Sequence, residues 1–277
     1  MPVLMISVLM ARLSPFQTRS LFGKRARRAR LATPGVKPWP RLRHNGGMYY
    51  EPGITPHGLP HDPFKSCVIP RPIGWISTVD EQGHDNLAPF SQFQNVTFDP
   101  PIVMFASNQN SRGERKDSVR NAETTGQFVW NMATYALREA VNISAEELPH
   151  GVDEFERAGL AKLPSRLVRP RRVSGSPIHF ECTYLNTVRF PGSSTMGTVD
   201  VVFGRVVAVH IDDAYITDQG LVDVLKIQPL ARMGYYDYTY VDNQFRMVIP
   251  GNNQAVLAGL EGSPDKARTA LENKHDI

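Results

Sequence analysis

Cysteine is almost missing from this 277-residue chain, which has only Cys67 and Cys182. They lie far from any C-x-x-C spacing, so neither a zinc site nor a redox dithiol is indicated, and two reduced thiols in a cytoplasmic protein is the simplest reading. No run approaches the roughly 18 consecutive apolar residues that a membrane-spanning helix needs. H-E-x-x-H and G-x-S-x-G are absent, and no G-x-G-x-x-G follows a strand pattern, so metalloprotease, serine-hydrolase and Rossmann dinucleotide chemistry lack their signatures. Gly192-Ser-Ser-Thr-Met-Gly197-Thr198 has the spacing of a phosphate loop without its lysine and reads as a hairpin connection. The eight histidines are scattered, and no metal cluster emerges.

Acidic residues are missing from the first 47 positions, which carry ten Lys or Arg. That leaves 21 basic against 27 acidic residues for the remainder, so the overall charge of +4 conceals a body of −6. A basic protein ordinarily suggests nucleic-acid binding. Here the charge sits in a leader, and neither nucleic acid nor membrane is expected as a partner. A secretory signal carries its charge before the apolar segment, the reverse of this leader. The leader is read as sequence upstream of a start at Met48, with a disordered basic tail and an organellar transit peptide as the alternatives. The expected organisation is a leader at 1–47, one domain at 48–250 and a polar tail at 251–277.

What the chain does have is short extended runs. Ile73–Val79 and the strand beginning near 87 read as a hairpin turning at Asp80-Glu-Gln-Gly83. Further strands are expected over Phe90–Phe98, Ile102–Ala106, Phe128–Met132, Ile178–Arg189 and Val199–Ile211. Ser111 and Glu114 have capping-box spacing and Gly126 suits a C′ position, which predicts a helix from Arg112 to Thr125. A second helix is expected over 134–147, with Ala136, Leu137, Ala140, Val141 and Ile143 facing the core. Many short strands with helices at the connections argue for a mainly β fold, an antiparallel barrel decorated by helices.

The ordered segments V-I-P-R-P-I-G-W-I-S-T (68–78), N-L-A-P-F-S (86–91), D-P-P-I-V (99–103), R-G-E-R-K-D-S (112–118) and F-V-W-N (128–131) resemble the flavin reductase-like family. So do V-D-E-F-E-R-A-G-L, S-P-I-H-F-E-C and L-A-R-M-G-Y-Y further on, and the resemblance covers roughly residues 60 to 250. It implies a split β-barrel, Greek-key-like and antiparallel, which holds FMN near the interface of a homodimer. It also implies NADH or NADPH as co-substrate, with a monooxygenase or an electron-transfer protein as partner. The alternatives are a non-catalytic FMN electron carrier and, more remotely, a barrel for another ligand such as haem.

An isoalloxazine ring needs an apolar wall and short polar groups at its edge. Trp75, Ile76 and Phe90 are candidates for the wall. Ser77, Thr78, Asn86 and Ser91 are candidates for the edge or the ribityl hydroxyls, and Pro89 fixes the backbone around Ala88. The phosphate needs cations and helix-terminal N–H groups. Arg112, Lys116 and Ser118, beside the strand ending at Ser107, are expected there, with Asp117 as an orienting acid and Arg71 as a further cation. Arg232, Gly234 and Tyr236 resemble a family segment that covers the flavin, although barrel packing explains the aromatic run equally well.

Overall fold

The computed structural model describes residues 43, 44 and 46–247, in two units divided between Asp62 and Pro63. Most of the expected leader and all of the expected tail lie outside the described residues. The first unit contains a hairpin of β1 (Arg43–His44) and β2 (Gly47–Met48).

The second unit begins with β3 (Arg71–Pro72), β4 (Gly74–Val79), β5 (Asp85–Phe90), β6 (Phe93–Phe98) and β7 (Pro101–Asn108). Helix α1 (Asp117–Thr125), β8 (Gln127–Met132), α2 (Arg138–Ile143) and α3 (Glu154–Arg157) follow. The chain continues through β9 (Lys162–Leu163), β10 (Arg172–Val173), the long pair β11 (Ile178–Phe190) and β12 (Val199–Ile211), α4 (Val224–Ile227), β13 (Leu230–Gly234) and β14 (Asp237–Tyr240). No helix among the described residues is long and apolar enough to cross a membrane.

Seven strands form one antiparallel sheet in the order β5-β4-β8-β11-β12-β7-β6. Its two edges, β5 and β6, are consecutive in the chain and joined by Ser91 and Gln92 alone. Only a sheet that curls round brings its edges so close, so the strand order itself dictates a barrel. β5 and β6 do not pair with each other, which leaves the barrel split along that seam. Pro89, which has no N–H to donate, is tolerated on the edge strand β5.

The interior is aromatic. Ile76, Phe90, Phe93, Phe105, Phe128 and Trp130 belong to one buried cluster, and the Phe93 and Trp130 rings stack at 5.2 Å. A Cβ at Gly204 would fall 2.3 Å from the Phe128 ring, so only glycine lets β12 pass there. A second cluster, with Ile73, Trp75, Leu87, Val141, Phe155 and Leu230, lies on the other side of β4. Both faces of β4 are therefore covered, and all six of its residues are buried.

The hairpin, the αL glycine at Gly126 (φ 72°) and most strands follow the sequence expectations, but the strand expected over Phe90–Phe98 is broken at Ser91 and Gln92, between β5 and β6. The two helices are shorter than expected. α1 starts at Asp117 because Asn110–Glu114 closes as a turn, in which Glu114 N–H donates to Asn110 Oδ1 at 2.8 Å and Asn110 N–H to the Glu114 carbonyl at 2.9 Å. Ser111 Oγ donates to Glu147 at 2.6 Å and so caps nothing. The second helix spans only Arg138–Ile143 after a 3-10 turn, and Ile143 is 38% exposed.

One buried group ties stability to pH. His179 sits in β11 with Nε2 3.0 Å from the Val173 carbonyl, while its Nδ1 is buried without a partner. Burial lowers its pKa from 6.5 to about 4, because a second ring proton would find no acceptor. Between those values the unfolded chain binds the extra proton and the folded protein does not. Stability therefore rises with pH through this window and is lost on acidification from 6.5 towards 4, by up to about 3 kcal/mol. In urea titrations across that range, His179→Gln should remove most of this slope. A slope unchanged by the substitution would show that other groups carry it.

Candidate functional site

A cavity of about 410 Å³ opens where β5, the start of α1 and the segment 144–150 meet. Its walls carry many charges, and nearly all are paired. Arg112 meets Glu114 at 2.9 Å, Arg115 meets Glu123 at 2.6 Å and Asp200 at 3.0 Å, and Arg120 meets Asp117. His150 Nδ1 lies 3.1 Å from Asp117. Lys116 Nζ makes no ion pair among the described residues and lies 5.9 Å from the Phe90 ring centroid, while Glu147, bonded to Ser111, feels the lysine's charge from across the cavity. Lys116 is also the N-cap of α1, in extended conformation, and its side chain makes no cap bond. Asp117 and Ser118, the first residues of that nine-residue helix, line the same cavity. An uncapped helix start and a free ammonium together favour an anion.

Behind the cavity wall runs a buried polar network. Ser118 Oγ (2.8 Å) and Thr78 Oγ1 (3.2 Å) both donate to Asn86 Oδ1. Asn121 Nδ2 donates to Thr78 Oγ1 at 3.1 Å. Asn86 Nδ2 donates to the Glu154 carboxylate at 3.0 Å, and Leu87 N–H donates to it at 2.9 Å. Burial pushes the Glu154 pKa up, against the pull of those donors. The network ties β4, β5, α1 and α3 together and so fixes the start of α1 beside β5. Thr78 is paired across the hairpin with Asn86, which explains why both belong to it.

Six of the expected site residues line this cavity: Asn86, Ala88, Pro89, Arg112, Lys116 and Ser118. The others are placed elsewhere. Trp75 is wholly buried on the outer face of β4, its Nε1 donating to Ser144 Oγ at 2.9 Å, and forms no wall of the cavity. Ile76 is wholly buried on the barrel side. Ser77 faces the opposite way from Thr78 and donates to the Arg171 carbonyl at 2.6 Å, while Thr78 lies behind Asn86 with no exposed surface. Ser107 is buried and donates to the Asn108 carbonyl at 3.3 Å. Ser91 lies in the bend between β5 and β6, away from the cavity. Arg71 donates to the carbonyls of Val68 at 2.8 Å and of Lys65, and so braces the turn before β3.

Asp117 does act on neighbouring charges, through Arg120 and His150. Arg232 donates to Tyr238 Oη at 2.5 Å and stacks over that ring, and Tyr236 is 93% exposed. Tyr236 borders a second cavity of about 400 Å³ between α2 and β13–β14. The sequence reading missed Glu154 and Asn121. Glu154 stands inside V-D-E-F-E-R-A-G-L, where Asp153 caps α3 through the Phe155 N–H at 2.8 Å, but nothing in that spacing reveals that its carboxylate turns inward to β5.

The split barrel is the architecture of the flavin reductase-like proteins. The match to the flavin reductase like domain spans residues 66–242, and the chain belongs to that family. Nitrilotriacetate monooxygenase component B from Bacillus cereus is 27% identical, with a TM-score of 0.66 over 74% of this chain and 100% of that one. The 2-nitrobenzoate 2-nitroreductase NbaA of Pseudomonas fluorescens is 26% identical, with a TM-score of 0.60 over 68% of this chain and 89% of its own. A protein of Aquifex aeolicus (strain VF5) is 34% identical over 61% of this chain and 84% of its length.

Proposed function

We propose that this protein is an FMN-dependent NAD(P)H:flavin reductase that supplies reduced flavin to a monooxygenase. The unpaired Lys116 ammonium at the uncapped start of α1 carries the reading, because a phosphate monoester is the anion that such a pair of features suits. FMN fits this arrangement: Lys116 and the first turn of α1 would hold its phosphate, with Ala88 and Pro89 at the adjoining wall. When bound, the flavin supplies a two-electron acceptor for hydride from a reduced nicotinamide. The chain's own part is to bind and orient. Asn86 and Glu154 hold β5 against α1, so that wall and phosphate site keep a fixed spacing. No side chain is assigned as a general acid or base, since hydride transfer demands none.

Support for a monooxygenase partner is the likeness to nitrilotriacetate monooxygenase component B. A homodimer is the expected assembly: Val207, Val209 and Ile211 alternate along the end of β12 and are 36%, 54% and 37% exposed, apolar surface that a second copy would cover. A cytoplasmic setting suits the two free cysteines.

Anaerobic titration of the FMN-loaded protein with NADH and with NADPH tests the reading. Rapid loss of the oxidised-flavin absorbance with at least one of them is expected. Bound FMN that neither nucleotide bleaches would favour the alternative, an electron carrier reduced by a protein donor.

A further inference from the structure

We propose that the loop Pro164–Arg172 is a docking surface for an acidic protein partner. Its sequence, P-S-R-L-V-R-P-R-R, places Arg166, Arg169, Arg171 and Arg172 within a single turn of chain. The first three are exposed and Arg172 is half-buried. None of the four has a carboxylate partner among the described residues, whereas Arg112, Arg115, Arg120, Arg138, Arg157 and Arg189 all do. Four cations this close repel one another. Burial lowers the pKa of Arg172, the Glu181 carboxylate beneath the loop works against that, and the charge of Arg166 adds to the lowering. Glu181 offsets part of this charge from beneath, and the exposed guanidinium groups of Arg166, Arg169 and Arg171 are left without an ion pair for a partner to meet.

The loop is also held rigid from beneath. Glu181, wholly buried on β11, accepts from the N–H groups of Arg166 (2.8 Å), Leu167 (2.6 Å) and Val168 (3.2 Å), and its carboxylate meets His210 Nε2 at 2.6 Å. Ser165 Oγ donates to the Pro170 carbonyl at 2.5 Å, and Arg169 N–H donates to Gln127 Oε1 at 2.8 Å. The backbone is thus ordered before any partner arrives, which lowers the ordering cost of association.

The geometry favours a protein over other anions. None of the four arginines lines the cavity at α1, and three of them stand exposed on a loop, not in a pocket that would enclose a small ion. A long polyanion such as nucleic acid would meet the net −6 of the surrounding body. A local acidic patch on a protein matches a local basic one. The loop also adjoins the cavity, since Arg169 Nη2 lies 3.3 Å from the Asp80 carbonyl and the Asp80 carboxylate lies 3.8 Å from His150 on the cavity wall. A docked protein would therefore stand at the cavity's rim. The inference does not depend on what the cavity binds.

The test is fluorescence anisotropy with a labelled oligoglutamate peptide and the full chain, whose basic leader is common to every variant. The paired substitution Arg166→Glu plus Arg171→Glu is compared with the charge-matched pair Arg138→Glu plus Arg157→Glu. The loop pair should weaken peptide binding about tenfold more than the control pair at low salt, and the difference should shrink above about 0.15 M as charges are screened. Arg166→Gln plus Arg171→Gln should show a smaller loss, and an unchanged thermal midpoint is expected because neither side chain is paired. Equal losses for the loop and control pairs, or no loss, would overturn the proposal. So would a loss confined to a single-stranded oligonucleotide probe, which would make the loop a nucleic-acid contact.

Discussion

Lys116→Ala is expected to weaken FMN binding by roughly 10- to 150-fold while leaving riboflavin affinity within about twofold, since a charge-assisted hydrogen bond contributes about 1.5–3 kcal/mol. The two ligands differ only in the phosphate, so the ratio isolates the contact. Lys116 suits this measurement because it makes no close ion pair in the protein, and Glu147 feels its charge only at longer range, so its removal breaks no salt bridge. Arg112→Ala should do much less, because Glu114 already neutralises that guanidinium in an exposed pair. Equilibrium titration of both flavins by fluorescence gives the comparison. An equal loss for FMN and riboflavin would move Lys116 from phosphate contact to scaffold.

Trp75→Ala should cost about 3–5 kcal/mol of stability, the range for deleting a large, fully enclosed side chain. The indole is wholly buried against the second apolar cluster and donates to Ser144, so its loss leaves a hole between β4 and α2. FMN affinity measured on the folded fraction should change little, because Trp75 does not line the cavity and reaches it only through Ser144. Trp75→Phe should fall between the two proteins in a urea titration. A flavin affinity that drops alongside the stability would return Trp75 to the binding wall.

Local pattern carried most of the fold. The hairpin at 74–90, the long strands at 178–190 and 199–211 and the glycine that ends α1 all follow from alternation and turn chemistry over a few residues. The side-chain assignments on β4 did not, and the reason is burial. A strand with one wet face shows which residues point in, but β4 is covered on both sides, so Trp75, Ile76, Ser77 and Thr78 are all interior. Ser77 and Thr78 look alike in sequence yet serve separate partners, Arg171 and Asn86. Long-range polar pairing was equally hidden, since Glu154 and Asn86 meet across 68 positions. Lys116 and Ser118 were placed near the cavity through the K-D-S segment, although the helix start itself was expected at Arg112 and lies at Asp117.

The unpaired seam between β5 and β6 has a mechanical consequence. Everywhere else in the barrel, widening the wall means breaking a ladder of hydrogen bonds. Along the seam, β5 can shift against β6 by rotating the few dihedral angles of Ser91 and Gln92, with every ladder intact. Because β5 is also a wall of the cavity, the barrel's compliance along this seam falls beside that cavity.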